Sequence, residues 1–472
     1  MSTQADPTAM LPSAIINDPL VIRARELLDS LELEQRNHAL QEAINLAERK
    51  PYLHTVQDSK LVRLSYEQAI SAATVDAEAL GSLYLHIPFC TKRCTYCHYY
   101  KVTDAEAGLM DEFADVLMAE FDLIHERLGI DQLRPRTIHF GGGTPSLLSE
   151  DQWLRLLTLL GERIDLAAVE EVAIECSPED VTPEKLRTWR DSGVNRLSLG
   201  VQSFSEPILR HLERVHSPEQ SVACIELAQA AGFENINVDL MHAMPASSFP
   251  LWLHDIRTAQ RLAPESVTIY ATRPDPKDGE AAGRRGFPGL DDRVLGHALA
   301  HEAFMPSGYY QFSPNQYIRS PKGRCLAKQQ RNRCRDVLGL GPSAHSIFRG
   351  AFFYNRGGLD TYLERIRAGS PCIVKGASLS EDEERVRFLQ FGLKLSGLGK
   401  EDEENGALCA DYQQRFDRSL REDFRTKLDF LAAHGLGTDD EVSAQLSLAG
   451  MLLVREVVQY MAEPDMNLGV ED

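Results

Sequence analysis

Three cysteines, Cys90, Cys94 and Cys97, stand in a C-x3-C-x2-C spacing directly after the apolar run SLYLHIPF. Thiolates at this spacing can hold three irons of a 4Fe-4S cubane and leave the fourth iron open to a small molecule. Zinc is the rival metal, but it commonly takes four closed ligands, and His98, adjacent to Cys97, is poorly placed to swing back as the fourth. The remaining cysteines carry less. Cys325 and Cys334 lie in a basic stretch without a neighbouring histidine and read as structure, and Cys176 follows Glu175, so strand alternation turns it to the opposite face as core filler. Nine cysteines in 472 residues is an odd number, which argues against a disulfide framework and for metal or redox work in a reducing compartment, the cytoplasm.

A loop that presents three thiolates needs rigid flanks. Short β-branched or aromatic runs alternate with longer helical stretches: SLYLHIPF (82–89), TIHFGG (137–142), EVAIEC (171–176), NRLSLGV (195–201), NINVDLM (235–241) and SVTIYA (266–271). Six β units with helices between them predict a parallel sheet. Right-handed crossovers curl such units into an α/β partial (β/α)6 TIM-type barrel with its chemistry at the carboxyl ends of the strands. Residues that core packing would not choose stand at those ends: Cys90 after the first run, Gly142 to Pro145 after the second, Glu175 on the third, Gln202 after the fourth and Asp239 on the fifth.

Four segments follow from the patterning. Residues 1–80 form a helical leader, and 81–290 form the barrel. Residues 291–358 include the basic IRSPKGRCLAKQQRNRCRD and the glycine-rich LGLGPSAHS, and read as a lid or substrate loop returning to the barrel. Residues 359–472 recover helical periodicity as a separate, mostly helical domain. With 70 acidic against 50 basic residues, the net charge of -20 repels phosphate backbones and anionic membrane surfaces, so neither nucleic acid nor membrane is expected as a partner. No apolar run approaches the roughly 18–20 residues that span a bilayer, and MSTQADPTAM lacks the layout of a secretory signal.

The motifs YLHIPFC-x3-C-x2-C, HFGGGTPSLL, IECSPEDVT, GVNRLSLGVQSF, VDLMHAMP and LGLGPSAHS, in this order over about residues 80–350, resemble the radical S-adenosylmethionine (SAM) superfamily, and within it the oxygen-independent coproporphyrinogen oxidase (HemN-like) branch. The resemblance implies a 4Fe-4S cluster held by Cys90, Cys94 and Cys97, whose open iron binds SAM and cleaves it to a 5'-deoxyadenosyl radical. Matching motifs imply that Tyr84 flanks that SAM and that Gly142, Gly143 and Thr144 offer main-chain groups to its methionyl end. They also imply that Glu175 pairs with its ammonium and that His345 closes the adenine pocket. Gln202, Arg214, Asp239 and Ala271 match positions that hold a second SAM in this branch.

Some positions depart from the pattern. The residue two after Cys97 is Tyr99 where a coproporphyrinogen oxidase has a fourth cysteine, and residues 327–332 read AKQQRN where a haem chaperone has a His-Asn-x-x-Tyr-Trp stretch. These departures lead to the expectation of a class C radical SAM methylase or cyclopropanase, passing a methyl-derived carbon from the second SAM to an sp2 carbon of a small molecule. His98 and Tyr99, beside the cluster, are the candidate acid-base groups. An electron donor such as flavodoxin or ferredoxin is the implied partner. The alternatives are a tetrapyrrole enzyme, either a coproporphyrinogen III dehydrogenase or an anaerobic haem-degrading methyltransferase, and a non-catalytic haem chaperone.

Overall fold

The computed structural model describes residues 17–46, 65–70, 80–105, 108–128, 133–243, 249–272, 290–397 and 405–462. The six expected runs are strands: β1 (Leu80–Ile87), β2 (Thr137–Gly142), β3 (Glu171–Cys176), β4 (Arg196–Gln202), β5 (Asn235–His242) and β6 (Ser266–Ala271). They pair in sequence order and in parallel. Helices cross between most of them, and their starts are capped as the sequence dictates: Ser149 and Gln152 form a reciprocal capping box before Glu150–Gly161, and Ser217 and Gln220 before Pro218–Ala230.

The sheet is wider than six strands. On one side it gains β7 (Tyr310–Ser313) and β8 (Gln316–Ile318); on the other it gains β9 (Asp336–Leu340), parallel to β1, then the antiparallel β10 (His345–Phe348), β11 (Ala351–Asn355) and β12 (Ile373–Ser378). The order β12-β11-β10-β9-β1-β2-β3-β4-β5-β6-β8-β7 leaves the barrel open between its two edges, a partial barrel.

Strand alternation divides the sheet chemically. One face, with Leu83, Leu85, Ile138, Phe140, Val172, Ile174, Leu197, Leu199, Val238, Leu240, Val267 and Ile269, is buried in the main core. It packs on the helices, as where Phe140 meets Trp153 with ring centroids 4.6 Å apart. Each such large side chain contributes roughly 1.5–3 kcal/mol by leaving water. The other face is polar, and its side chains bond across strands: Thr137 Oγ1 to Ser82 Oγ at 2.8 Å, Asn237 Nδ2 to Ser198 Oγ at 3.0 Å, and Ser266 Oγ to Asn237 Oδ1 at 2.9 Å. A closed TIM barrel fills its interior with branched apolar layers. A polar interior is built to hold a ligand.

Within the segment 291–358, expected as a lid or substrate loop, the basic run 319–335 lies at the end opposite the barrel mouth. Glu171, the first residue of β3, accepts the N–H groups of Leu326 and Ala327 at 2.9 and 3.0 Å, and so caps the helix Leu326–Asn332. Arg196, which opens β4, donates to the carbonyls of Gly323 and Arg324. The basic run is thus a floor at the amino ends of the strands, because its main chain satisfies the charges buried there.

The C-terminal region has its own core, with Phe388, Leu389, Tyr412, Leu428, Leu436, Leu453 and Val457. Beside its helices it holds a small sheet of β13 (Ala407–Leu408), β14 (Gly437–Asp439) and β15 (Ser443–Leu446), with β15 central. In the leader, the helix Pro19–Ser30 packs on Leu290–Phe304, and Leu33–Leu46 packs on Val454–Met461. The parts of the leader at 1–16, 47–64 and 71–79 lie outside the described residues. No described helix is long and apolar enough to cross a membrane.

Candidate functional site

The three thiols stand on the loop that leaves β1, half-buried and free. Two main-chain bonds pin its base, from Cys90 N to Val102 O at 3.0 Å and from Val102 N to Pro88 O at 2.7 Å. Its far side is anchored by Tyr96, which packs against Ile208, Leu212 and Met241. Lys101 Nζ closes the turn on Cys97 O at 2.7 Å. Two thiols receive hydrogen bonds, Cys90 Sγ from Thr144 Oγ1 at 3.3 Å and Cys94 Sγ from Arg214 Nη1 at 3.5 Å. Burial pushes the Cys90 thiol up, partly offset by the Thr144 hydroxyl. Among the described residues no three His, Cys, Asp or Glu side chains converge on a point that could hold one metal ion. A cubane spreads its thiolates over separate irons, so three thiols on one loop need not converge on a point to hold it.

Beside the thiols, the turn after β2 is made of three glycines, each with no room for a Cβ. One on Gly141 would lie 2.8 Å from Glu175 Oε1, one on Gly142 2.5 Å from the His86 ring, and one on Gly143 2.7 Å from Ile87 O. Gly142 also takes φ +107°, a backbone region that L side chains rarely adopt. Its N–H donates to Glu175 Oε2 at 3.3 Å, while Gly143 N and Thr144 N donate to Ile87 O and Phe89 O at 2.8 and 2.7 Å. The amide donors of the turn are thus spent inside the fold.

Glu175 is the centre of the inward face. Burial alone would raise its carboxyl, but hydrogen bonds from His139 Nε2 at 2.9 Å and Gly142 N outweigh that and hold it below the usual carboxylate range. Its side chain remains 43% exposed, open to the barrel interior. His139 stacks on Tyr84, with centroids 5.8 Å apart and planes 21° off parallel. The Tyr84 hydroxyl meets His86 Nδ1 at 3.2 Å, and His86 Nε2 donates to Tyr100 O at 2.9 Å on the cysteine loop. His345 lies on the same side, its ring 6.5 Å from Tyr84, and burial together with Arg331 and His86 pulls it down to about 4.

The second group faces the same interior from β4 to β6. Asp239 accepts from Asn237 Nδ2 at 2.8 Å and Ser198 Oγ at 3.4 Å, and burial pushes its carboxyl up to about 6. Gln202 sits at the register shift between β4 and β5 with φ +66°. Arg214 holds Ser177 Oγ at 2.7 Å and Gly200 O at 2.9 Å as well as Cys94, which ties this group to the thiol loop. Ala271 ends β6 opposite His242. His98 and Tyr99 are exposed on the loop, Tyr99 by 57%. Cys325 and Cys334 bracket the floor helix; Cys334 is buried in the C-terminal core, where its carbonyl accepts from Arg387 and Arg415.

His139, His86, Tyr96 and the Ser198–Asn237 pair escaped the sequence reading. Their signal was the alternation itself: T-I-H-F-G and N-I-N-V-D place every polar side chain on one face.

The profile of the Radical SAM superfamily matches residues 84–249. The oxygen-independent coproporphyrinogen III oxidase of Bradyrhizobium diazoefficiens is 30% identical over 324 residues, 65% of this chain and 71% of the relative. The haem chaperone HemW of Mycobacterium tuberculosis is 33% identical over 345 residues, covering 70% and 87% respectively. The solved structure of coproporphyrinogen III oxidase HemN from Escherichia coli shares the fold, with a TM-score of 0.70 at 24% identity over 84% of this chain and 92% of that one. These relatives overturn the expected closeness to class C methylases and cyclopropanases, and with it the transfer of a methyl or methylene carbon. The superfamily's cofactors, a 4Fe-4S cluster and SAM, match the donor set described above: three free thiols, a carboxylate held below its usual range and a close-packed glycine turn beside them. The chain belongs to the HemN-like family of the radical SAM superfamily.

Proposed function

We propose that this protein is a radical SAM oxidoreductase acting on a tetrapyrrole, in the manner of a coproporphyrinogen dehydrogenase, in the cytoplasm. Between the oxidase and chaperone readings that the relatives suggest, one observation carries the choice: the helix Leu326–Asn332. Its residues 327–332 are those that the resemblance matches to the chaperones' haem-holding stretch, yet the helix contains no histidine, and Gln329, Gln330 and Asn332 are buried. The histidine that the chaperones' stretch would offer to haem iron has no counterpart in this helix. The SAM-facing end, by contrast, is furnished with an ionised carboxylate and free thiols.

When bound, the cluster and SAM supply a 5'-deoxyadenosyl radical after one electron arrives from a flavodoxin- or ferredoxin-type donor. The chain's own residues do the positioning. Glu175 and main-chain groups of the glycine turn receive the methionyl end of SAM, Tyr84 flanks that SAM, His345 closes its adenine pocket, and the resemblance assigns Gln202, Arg214, Asp239 and Ala271 to a second SAM. The polar interior orients the substrate, and His98 and Tyr99 stand at the rim as acid-base groups. Removing a hydrogen atom, one further electron and CO2 converts a propionate side chain to a vinyl group, with the extra electron leaving to a separate acceptor.

The test is anaerobic incubation of reconstituted, reduced protein with SAM and coproporphyrinogen III. Formation of 5'-deoxyadenosine that depends on the porphyrinogen, with a decarboxylated product, is expected. Stoichiometric haem binding, with deoxyadenosine formation indifferent to the porphyrinogen, would replace this reading by the chaperone one.

A further inference from the structure

We propose that His139 is the positioning residue of the SAM site: it orients Glu175 to receive the SAM ammonium. The inference rests on the assignment of Glu175 to that ammonium and adds the group through which Glu175 works. Glu175 is an inward carboxylate on a strand whose neighbours are Ala173 on its own face and apolar residues on the other, so local packing does not hold its rotamer. Its two oxygens are held instead from β2, Oε1 by His139 Nε2 at 2.9 Å and Oε2 by Gly142 N at 3.3 Å. Gly141, between them, supplies the space: a Cβ there would overlap both carboxylate oxygens, at 2.8 and 3.1 Å.

The chemistry of the partner matters. Lys or Arg beside Glu175 would carry a full positive charge, neutralise the carboxylate and compete with an incoming ammonium. The imidazole reaches Glu175 through a single N–H, at Nε2, so one carboxylate oxygen is oriented from β2. The rest of the ring agrees with this single purpose. Among the described residues His139 Nδ1 is buried without a hydrogen-bond partner, and the polar bond of the side chain is the one to Glu175. Stacking on Tyr84 fixes the ring plane, and Tyr84 leads through His86 to Tyr100 on the cysteine loop. Carboxylate and cluster loop are therefore set by one continuous chain of contacts.

The experiment compares H139L, H139Q and E175Q in the cluster-reconstituted full chain. It measures the SAM dissociation constant by titration, the iron content per chain, and KM against kcat for 5'-deoxyadenosine formation. Loss of a hydrogen bond to a charged group corresponds to about a tenfold effect or more. E175Q and H139L are both expected to weaken SAM binding by about that factor with iron content unchanged. H139L should raise KM for SAM more than it lowers kcat. H139Q, whose amide nitrogen reaches the position of Nε2, should restore binding to within about threefold. If E175Q weakens binding while H139L binds SAM as the unmodified chain does, His139 is not a positioning residue and the Glu175 assignment survives. If E175Q leaves binding unchanged, the assignment itself is wrong. Should H139L fail to fold, H139N against H139Q carries the comparison: Asn puts its donor near Nδ1, too short to reach Glu175, and equal SAM binding by the two variants would overturn the proposal.

Discussion

Glu171 and Glu175 lie on one strand, β3, four positions apart and on the same inward face. Glu171 is 3% exposed, with both oxygens taken by main-chain N–H groups at the start of the floor helix. Glu175 is also bonded twice, but one donor is an imidazole, and 43% of its side chain still faces the interior. The first carboxylate satisfies the fold and is closed. The second is oriented by the fold and left with acceptor capacity. Residue type and strand position do not separate them; what does is whether the donors exhaust the carboxylate or leave part of it facing a cavity.

That contrast can be broken at several strengths. The largest effect is at the thiols: replacing any one of Cys90, Cys94 or Cys97 by Ala should abolish both the iron-sulfur chromophore and SAM cleavage, whereas Cys325→Ala at the floor should abolish neither. Absorbance of anaerobically purified protein checks this. Next, Glu175→Ala should leave the melting temperature nearly unchanged while SAM titration shows binding lost by about tenfold or more. Glu171→Ala should do the reverse. It strands two buried N–H groups and should cost about 2–4 kcal/mol in denaturant unfolding, with the affinity for SAM retained in the folded fraction. If Glu171→Ala instead weakened SAM binding without loss of stability, the division between the two ends would fail.

The smallest effect concerns pH. Asp239 titrates at about 6, above the ordinary carboxylate range, because burial disfavours its charge. The stability it contributes is therefore fully present below about pH 4 and is lost as pH rises through about 6, amounting to about 3 kcal/mol. Asp239→Asn should flatten this slope in unfolding free energies measured between those limits. An unchanged slope would show that another group is responsible.

The barrel was legible because its signal is local. A β-branched run bounded by turn residues and followed by a helical period identifies each of β1 to β6 to within two residues of where the strand lies. The cysteine loop and Glu175 were legible for the same reason, being chemically improbable residues at strand ends. His139 was not, because a single histidine on a strand is usually structure, and only the β2–β3 register brings it to a carboxylate 36 residues away. The basic run 319–335 was placed at the wrong end for a similar reason: its charges suggested a substrate, while its main chain was needed by Glu171 and Arg196. The expected methyl transfer rested on motifs that are absent. A missing fourth cysteine removes a side chain outside the three cluster ligands, so it does not decide which reaction follows.

By itself, then, the sequence determined the six barrel strands, their parallel pairing and the thiol loop, since each depends on residues near one another in the chain and on a periodicity of two or 3.6. Tertiary structure alone decided which end of the barrel the basic segment closes and which of two equivalent glutamates stays available. Those outcomes turn on hydrogen bonds between residues 36 to 156 positions apart, and a buried polar group takes whichever partner the packing brings within reach.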